Sequence, residues 1–176
     1  MALPSAYAWL QSEGAPKILV EALKLFGVAE KAGPQHNPII LGWLKELGFT
    51  WINDDETPWC GTFMGIVAKR AGKPVHIDAA RAKSWLKWGT GVTTPMLGDV
   101  LVFDRQGGGH VGLYVGEDAT HYHVLGGNQA NCVCIVRILK TRLTQARRTA
   151  WTSAQPANVR RVWLSPKGAH TSINEV

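Results

Sequence analysis

Cysteine is scarce, at three in 176 residues. Cys132 and Cys134 stand too close together for an ordinary loop-closing bridge, which excludes a disulfide framework. Long apolar runs are missing as well. No stretch approaches the roughly twenty residues that a spanning helix needs, so stable membrane insertion is not expected. The opening Met1-Ala2-Leu3-Pro4-Ser5 has neither a basic cluster nor a continuous apolar region, and it does not read as a secretory signal. Acidic side chains are outnumbered, 13 against 19 Lys and Arg, and the net charge of +6 favours a polyanionic partner. The late basic residues Arg137, Lys140, Arg142, Arg147, Arg148, Arg160 and Arg161 accompany no nucleic-acid motif, so nucleic acid is not the expected partner.

With 45% apolar and 18% charged residues, the composition is that of a folded globular chain. The length suits one domain, 1–176, with a core over about 16–164 and a loose tail from Ser165. The first half reads as helical. Pro16 opens a segment whose face carries Ile18, Leu19, Ala22, Leu25 and Phe26, and Gly27 stops it. Asn37-Pro38 is an N-cap and first-turn pair before Ile40, Trp43, Leu44 and Leu47, closed by Gly48. A third helix, with Thr57 as cap and Pro58 first, carries Trp59, Cys60, Phe63 and Val67 to Ala71-Gly72. Asp78 caps a fourth that ends at Gly89.

The second half reads as strands over 99–103, 110–115, 121–125, 133–138 and 159–164, separated by glycine-containing turns. The polar stretch 141–158 reads as a long connection. The expected fold class is α+β, with N-terminal helices packed on an antiparallel sheet of about five strands.

The chemistry centres on Cys60. In the first turn of a helix it faces unpaired N–H groups and the positive end of the dipole, which favours thiolate over thiol. His110 opens a strand fifty residues later, and Asn128 lies just beyond the next strand. A thiol nucleophile, an imidazole base and a polar group that orients the ring form a nucleophile-base-orienter set. Gln129 is the alternative orienter. Trp59, Asp55 and Gln129 are candidate substrate contacts, and Trp88, Trp151 or Trp163 could line a groove for sugar or peptide. A competing chemistry is zinc held by His121, His123, Cys132 and Cys134, since residues two apart share a strand face.

Taken together, Asn37-Pro38-Ile39-Ile40, Asp54-Asp55-Glu56-Thr57-Pro58-Trp59-Cys60, Gly98-Asp99-Val100-Leu101-Val102-Phe103, Gly109-His110-Val111-Gly112-Leu113-Tyr114-Val115-Gly116 and Val124-Leu125-Gly126-Gly127-Asn128-Gln129 resemble the CHAP and NlpC/P60 group of papain-like cysteine peptidases and amidases. The small phage-type cell-wall hydrolases are the most similar. The resemblance runs from about Pro16 to Ile138 and implies a papain-like fold with Cys60 as nucleophile, His110 as base and Asn128 as orienter. It implies an endolysin that cuts an amide bond of peptidoglycan, either muramoyl-L-alanine or a bond within the stem or cross-bridge, as a monomer and without a cofactor. Such an enzyme is made in the bacterial cytoplasm and reaches the wall through a membrane lesion. An injected antibacterial amidase and a non-catalytic wall-binding or virion module are the alternatives. Some CHAP enzymes hold calcium before the cysteine, but the adjacent Asp54, Asp55 and Glu56 lack the alternating spacing of a calcium loop, so no metal is expected there.

Overall fold

The computed structural model describes residues 2–172. A 3-10 segment, Ser5–Ser12, leads into helices α1 (Lys17–Leu23), α2 (Pro38–Leu47) and α3 (Cys60–Arg70), then a second 3-10 segment, Ala82–Lys87. Strands β1 (Thr90–Val92), β2 (Val100–Arg105), β3 (Gly108–Glu117), β4 (His121–Gln129), β5 (Cys132–Leu139) and β6 (Leu143–Arg148) follow. They form one six-stranded sheet in the order β1-β6-β2-β3-β4-β5, and the paired strands are antiparallel. The fold is α+β.

Local chemistry explains the helices. Asn37 accepts the Ile39 N–H at 2.8 Å while Pro38 occupies the first helical position, and Gly48 closes α2 at φ 77°, a left-handed conformation that glycine adopts without a Cβ clash. Helix α3 is buried continuously from Cys60 to Ala68, as expected of a helix that is apolar on all sides. It lies on one face of the sheet, where Val100, Val102, Val111, Leu113, Val115 and Leu125 complete the main core. The opposite face carries a smaller cluster that includes Leu101, Phe103, Tyr114, Val124 and Ile138.

Several expectations are corrected. Helix α3 begins at Cys60, because Thr57 lies in the preceding bend, tied to Asp54 by backbone and hydroxyl hydrogen bonds, and Pro58 follows it outside the helix. The fourth helix is the 3-10 segment Ala82–Lys87, with no side-chain cap from Asp78. The sixth strand lies inside the stretch read as a connection. In β6 only Ala146 is fully buried, and the inward charge of Arg148 is matched by Asp99 at 2.7 and 2.6 Å, so apolar alternation does not mark it. Residues 159–164 form no strand. They contribute a single parallel bridge, Trp163 with Glu117.

The chain termini also differ from the sequence reading. Tyr7 and Leu10 are buried in the main core, which therefore starts well before residue 16. The tail expected to be loose is tied to β5 by Arg137 N–H to His170 O and Ser172 N–H to Arg137 O. Residues 173–176 of that tail lie outside the described residues.

Candidate active site

Cys60 is the first residue of α3, and its side chain is 3% exposed. Gly61 allows this close seat, since a Cβ there would come 2.3 Å from the Ala80 carbonyl oxygen. Burial pushes the Cys60 thiol above its ordinary pKa. The Val111 backbone N–H, the charge of Arg105, and the Gly61 and Cys60 backbone N–H groups pull it back without cancelling that effect. The expected lowering is thus corrected: the helix start does favour thiolate, but removal from water outweighs it.

Val111 directly follows His110 on β3, so the thiol lies against the strand that carries the histidine. His110 is fully buried and its ring stacks beside Phe103, its cross-strand partner, at 6.5 Å between centroids. Its Nε2 lies 3.0 Å from Gln129 Oε1. The orientation of the Gln129 amide follows from its other end, where Nε2 donates to the carbonyls of Val124 at 3.2 Å and Cys134 at 2.6 Å. Oε1 can only accept, so His110 Nε2 carries the proton, and in the neutral ring Nδ1 is the basic nitrogen.

The contact with the His110 ring expected of Asn128 is therefore made by Gln129. The β4–β5 register shifts between Gly126 and Gln129, and Asn128 sits in the bulge at φ 55°. A bulge re-aims the side chains around it. Asn128 Nδ2 turns away to Glu30 Oε1 at 2.6 Å, and its buried Oδ1 has no hydrogen-bond partner among the described residues. Gly126 keeps the approach open, because a Cβ there would stand 2.8 Å from Gln129 Oε1 and 3.3 Å from His110 Nε2.

Two expected substrate contacts are structural instead. Trp59 is 1% exposed, packs against Trp43 and donates its indole N–H to Glu30 at 2.7 Å. Asp55 is fully buried and accepts the N–H groups of Lys31 and Asn37 at 2.9 and 2.7 Å, with His36 Nδ1 at 2.9 Å. Burial alone would raise its pKa, but these hydrogen bonds outweigh burial and hold Asp55 below the usual carboxylate range. It clamps the loop before α2. Gln129, also expected at the substrate, is fully buried behind His110.

The zinc constellation does not assemble. The β4–β5 register puts Arg137 opposite His123 and Cys134 opposite Gly126, so the cysteines lie farther along the sheet than the histidines. His123 is engaged on both nitrogens, by Tyr7 at 2.6 Å and Asp118 at 3.0 Å. Among the described residues no group of three or more His, Cys, Asp or Glu side chains converges to hold a metal.

A cleft of about 520 Å³ opens at Cys60, walled by Trp51, Ile52, Thr57, Pro58, Arg81, Lys83, Gly108 and Gly109 among others. Trp51 is 64% exposed and is braced by the Phe49 ring at 5.2 Å. The sequence reading overlooked it because a lone tryptophan between two helices has no periodic context. Of the tryptophans offered for a groove, Trp88 is buried and Trp163 packs under Arg161, while Trp88 and Trp151 border a separate cavity of about 240 Å³ away from Cys60. No family model and no curated protein matches the chain.

Proposed function

We propose that this chain is a cysteine hydrolase that cuts an amide bond of peptidoglycan, with Cys60 as nucleophile, His110 as base and Gln129 as the residue that holds the ring. The observation that carries this reading is the Gln129 contact, which leaves His110 Nδ1 as the proton acceptor on the strand against which the Cys60 thiol is seated. Burial favours the neutral thiol, and His110 removes its proton as sulfur attacks the carbonyl. The Cys60 backbone N–H and a neighbouring donor stabilise the oxyanion, and water then releases the acyl-enzyme.

The open cleft suits an extended substrate. Exposed Arg81 on its wall, together with the net charge of +6, suits an anionic polymer such as the sacculus. No described helix is long and apolar enough to cross a membrane. The resemblance to phage cell-wall hydrolases supports an endolysin, made in the cytoplasm and released to the wall.

Digestion of purified sacculi tests the reading. New amino groups and a single type of cut bond, identified by mass spectrometry, are expected from the intact protein. Cys60→Ala should abolish them, whereas Cys132→Ser and Cys134→Ser should retain most activity. Turnover by folded Cys60→Ala would refute the mechanism.

A further inference from the structure

Cys132 and Cys134 are two apart on β5 and share one face of the strand. Both are free, and both thiols reach the Gln129 carbonyl at 3.2 Å. They are also half-buried, in contrast to the 3% exposure of Cys60. The neighbouring Cys134 lowers the Cys132 pKa, and the same proximity, with burial, raises that of Cys134. With both sulfurs gathered on one carbonyl and both more open to water than Cys60, the thiolate form is favoured at Cys132 beside a thiol that can resolve it. The Gln129 side chain connects this pair to the candidate base, with its Nε2 on the Cys134 carbonyl at 2.6 Å and its Oε1 on His110 at 3.0 Å.

We propose that Cys132 and Cys134 form a reversible oxidation site that hydroperoxides reach before Cys60, and that closing it detaches Gln129 from His110. In the first step the Cys132 thiolate attacks the terminal peroxide oxygen, the O–O bond breaks, and the leaving oxide takes a proton to become water or an alcohol. Cys132 is then a sulfenic acid. The Cys134 sulfur attacks it, an S–S bond forms, and the sulfenic oxygen leaves as water with the thiol proton. The two cysteines lose two electrons and the peroxide gains them.

The strand has to deform for the second step. Cβ atoms two apart on an extended strand are separated by about 6.5 Å, at about 3.3 Å per residue. A disulfide brings them to about 3.8 Å. Between the two cysteines lies Val133, fully buried and held by Val28 O at 2.7 Å and Gly27 N–H at 2.9 Å. With Val133 fixed, the contraction of about 3 Å falls on the flanking peptides, and the Cys134 carbonyl is one of them. Its movement removes the anchor of the Gln129 amide. A bridge made under such strain is readily reduced.

Only the effect on hydrolysis rests on the proposed function; the oxidation and its structural consequence do not. The test treats the reduced full-length protein with hydrogen peroxide, then maps cysteines by mass spectrometry after alkylation in denaturant. The His110 ring signals are followed by NMR and sacculus lysis is assayed in parallel. The expected result is a Cys132–Cys134 link with Cys60 still alkylatable, shifted His110 signals, and lysis reduced at least about tenfold, on the scale of acid–base contributions. A thiol reductant should reverse all three. Cys134→Ser should stop at the Cys132 sulfenic acid, and Cys132→Ser should keep its His110 signals and its lysis under peroxide. Oxidation of Cys60 first, or a closed link with unmoved His110 signals, would overturn the proposal. Absence of lysis in the untreated protein would refute the hydrolase reading alone, with mapping and NMR still deciding the oxidation site.

Discussion

Replacing Gln129 by Ala and, separately, Asn128 by Ala separates the two residues that could hold the histidine. Gln129 is fully buried, and its removal leaves the His110 Nε2 proton without its 3.0 Å acceptor and the Val124 and Cys134 carbonyls without their shared donor. Each buried polar group left unpaired costs about 1–3 kcal/mol, and with relaxation and entering water a total of about 2–4 kcal/mol is expected. That loss should be visible as a lower melting temperature. The kinetic loss has a different origin. Without Oε1 the ring is free to place its proton on Nδ1, where it cannot accept one from Cys60, so kcat should fall about 100-fold, within the range of acid–base catalysis.

Asn128 gives up one hydrogen bond to Glu30. Its removal should cost about 2 kcal/mol, from that hydrogen bond and the strain of alanine at φ 55°, and change kcat by less than about fivefold. Sacculus digestion at saturating substrate measures kcat, and nitrogen-15 NMR of the imidazole reports which ring nitrogen is protonated. A folded Gln129→Ala variant with near-normal kcat and an unchanged tautomer would refute the reasoning. So would a greater kcat loss in Asn128→Ala.

Three further outcomes follow from the geometry. Gly126→Ala should disrupt the ring contact while leaving Cys60 in place, because the new methyl would stand 2.8 Å from Gln129 Oε1; normal kcat in that variant would contradict the packing. Asp118 is desolvated, but hydrogen bonds from Arg137, Thr120, His123 and His121 more than compensate and hold its carboxyl well below the usual range. A folded-state pKa below the unfolded value of about 3.9 contributes stability that is complete above that value and lost as pH falls below it. Asp118→Asn should therefore lower the melting temperature at pH 7 and lose that effect progressively below about pH 4, and a pH-independent difference would count against the ion pair. Binding to sacculi should weaken between low and high salt, since exposed charges are screened beyond about 10 Å at 0.1 M, and salt-independent sedimentation would exclude electrostatic docking.

Residue order alone carried the α+β class, the helix over Pro38–Leu47, and the placement of Cys60 at a helix start and His110 on a strand. These rest on interactions between near neighbours: the Asn37 cap, the first-turn proline, the closing glycine and runs of strand formers. Strand β6 was hidden because its inward Arg148 reads as solvated until Asp99, 49 positions earlier, lies against it. Asp55 looked available until the fold brought Lys31, Asn37 and His36 around it. The choice between Asn128 and Gln129 depended on a single bulge. A one-residue slip moves a side chain to the other face of a strand, and cross-strand register is a long-range property that adjacent residues do not determine. Burial acted in the same way on Cys60: sequence placed the thiol at the positive end of a helix, and the enclosing tertiary structure raised its pKa against that field.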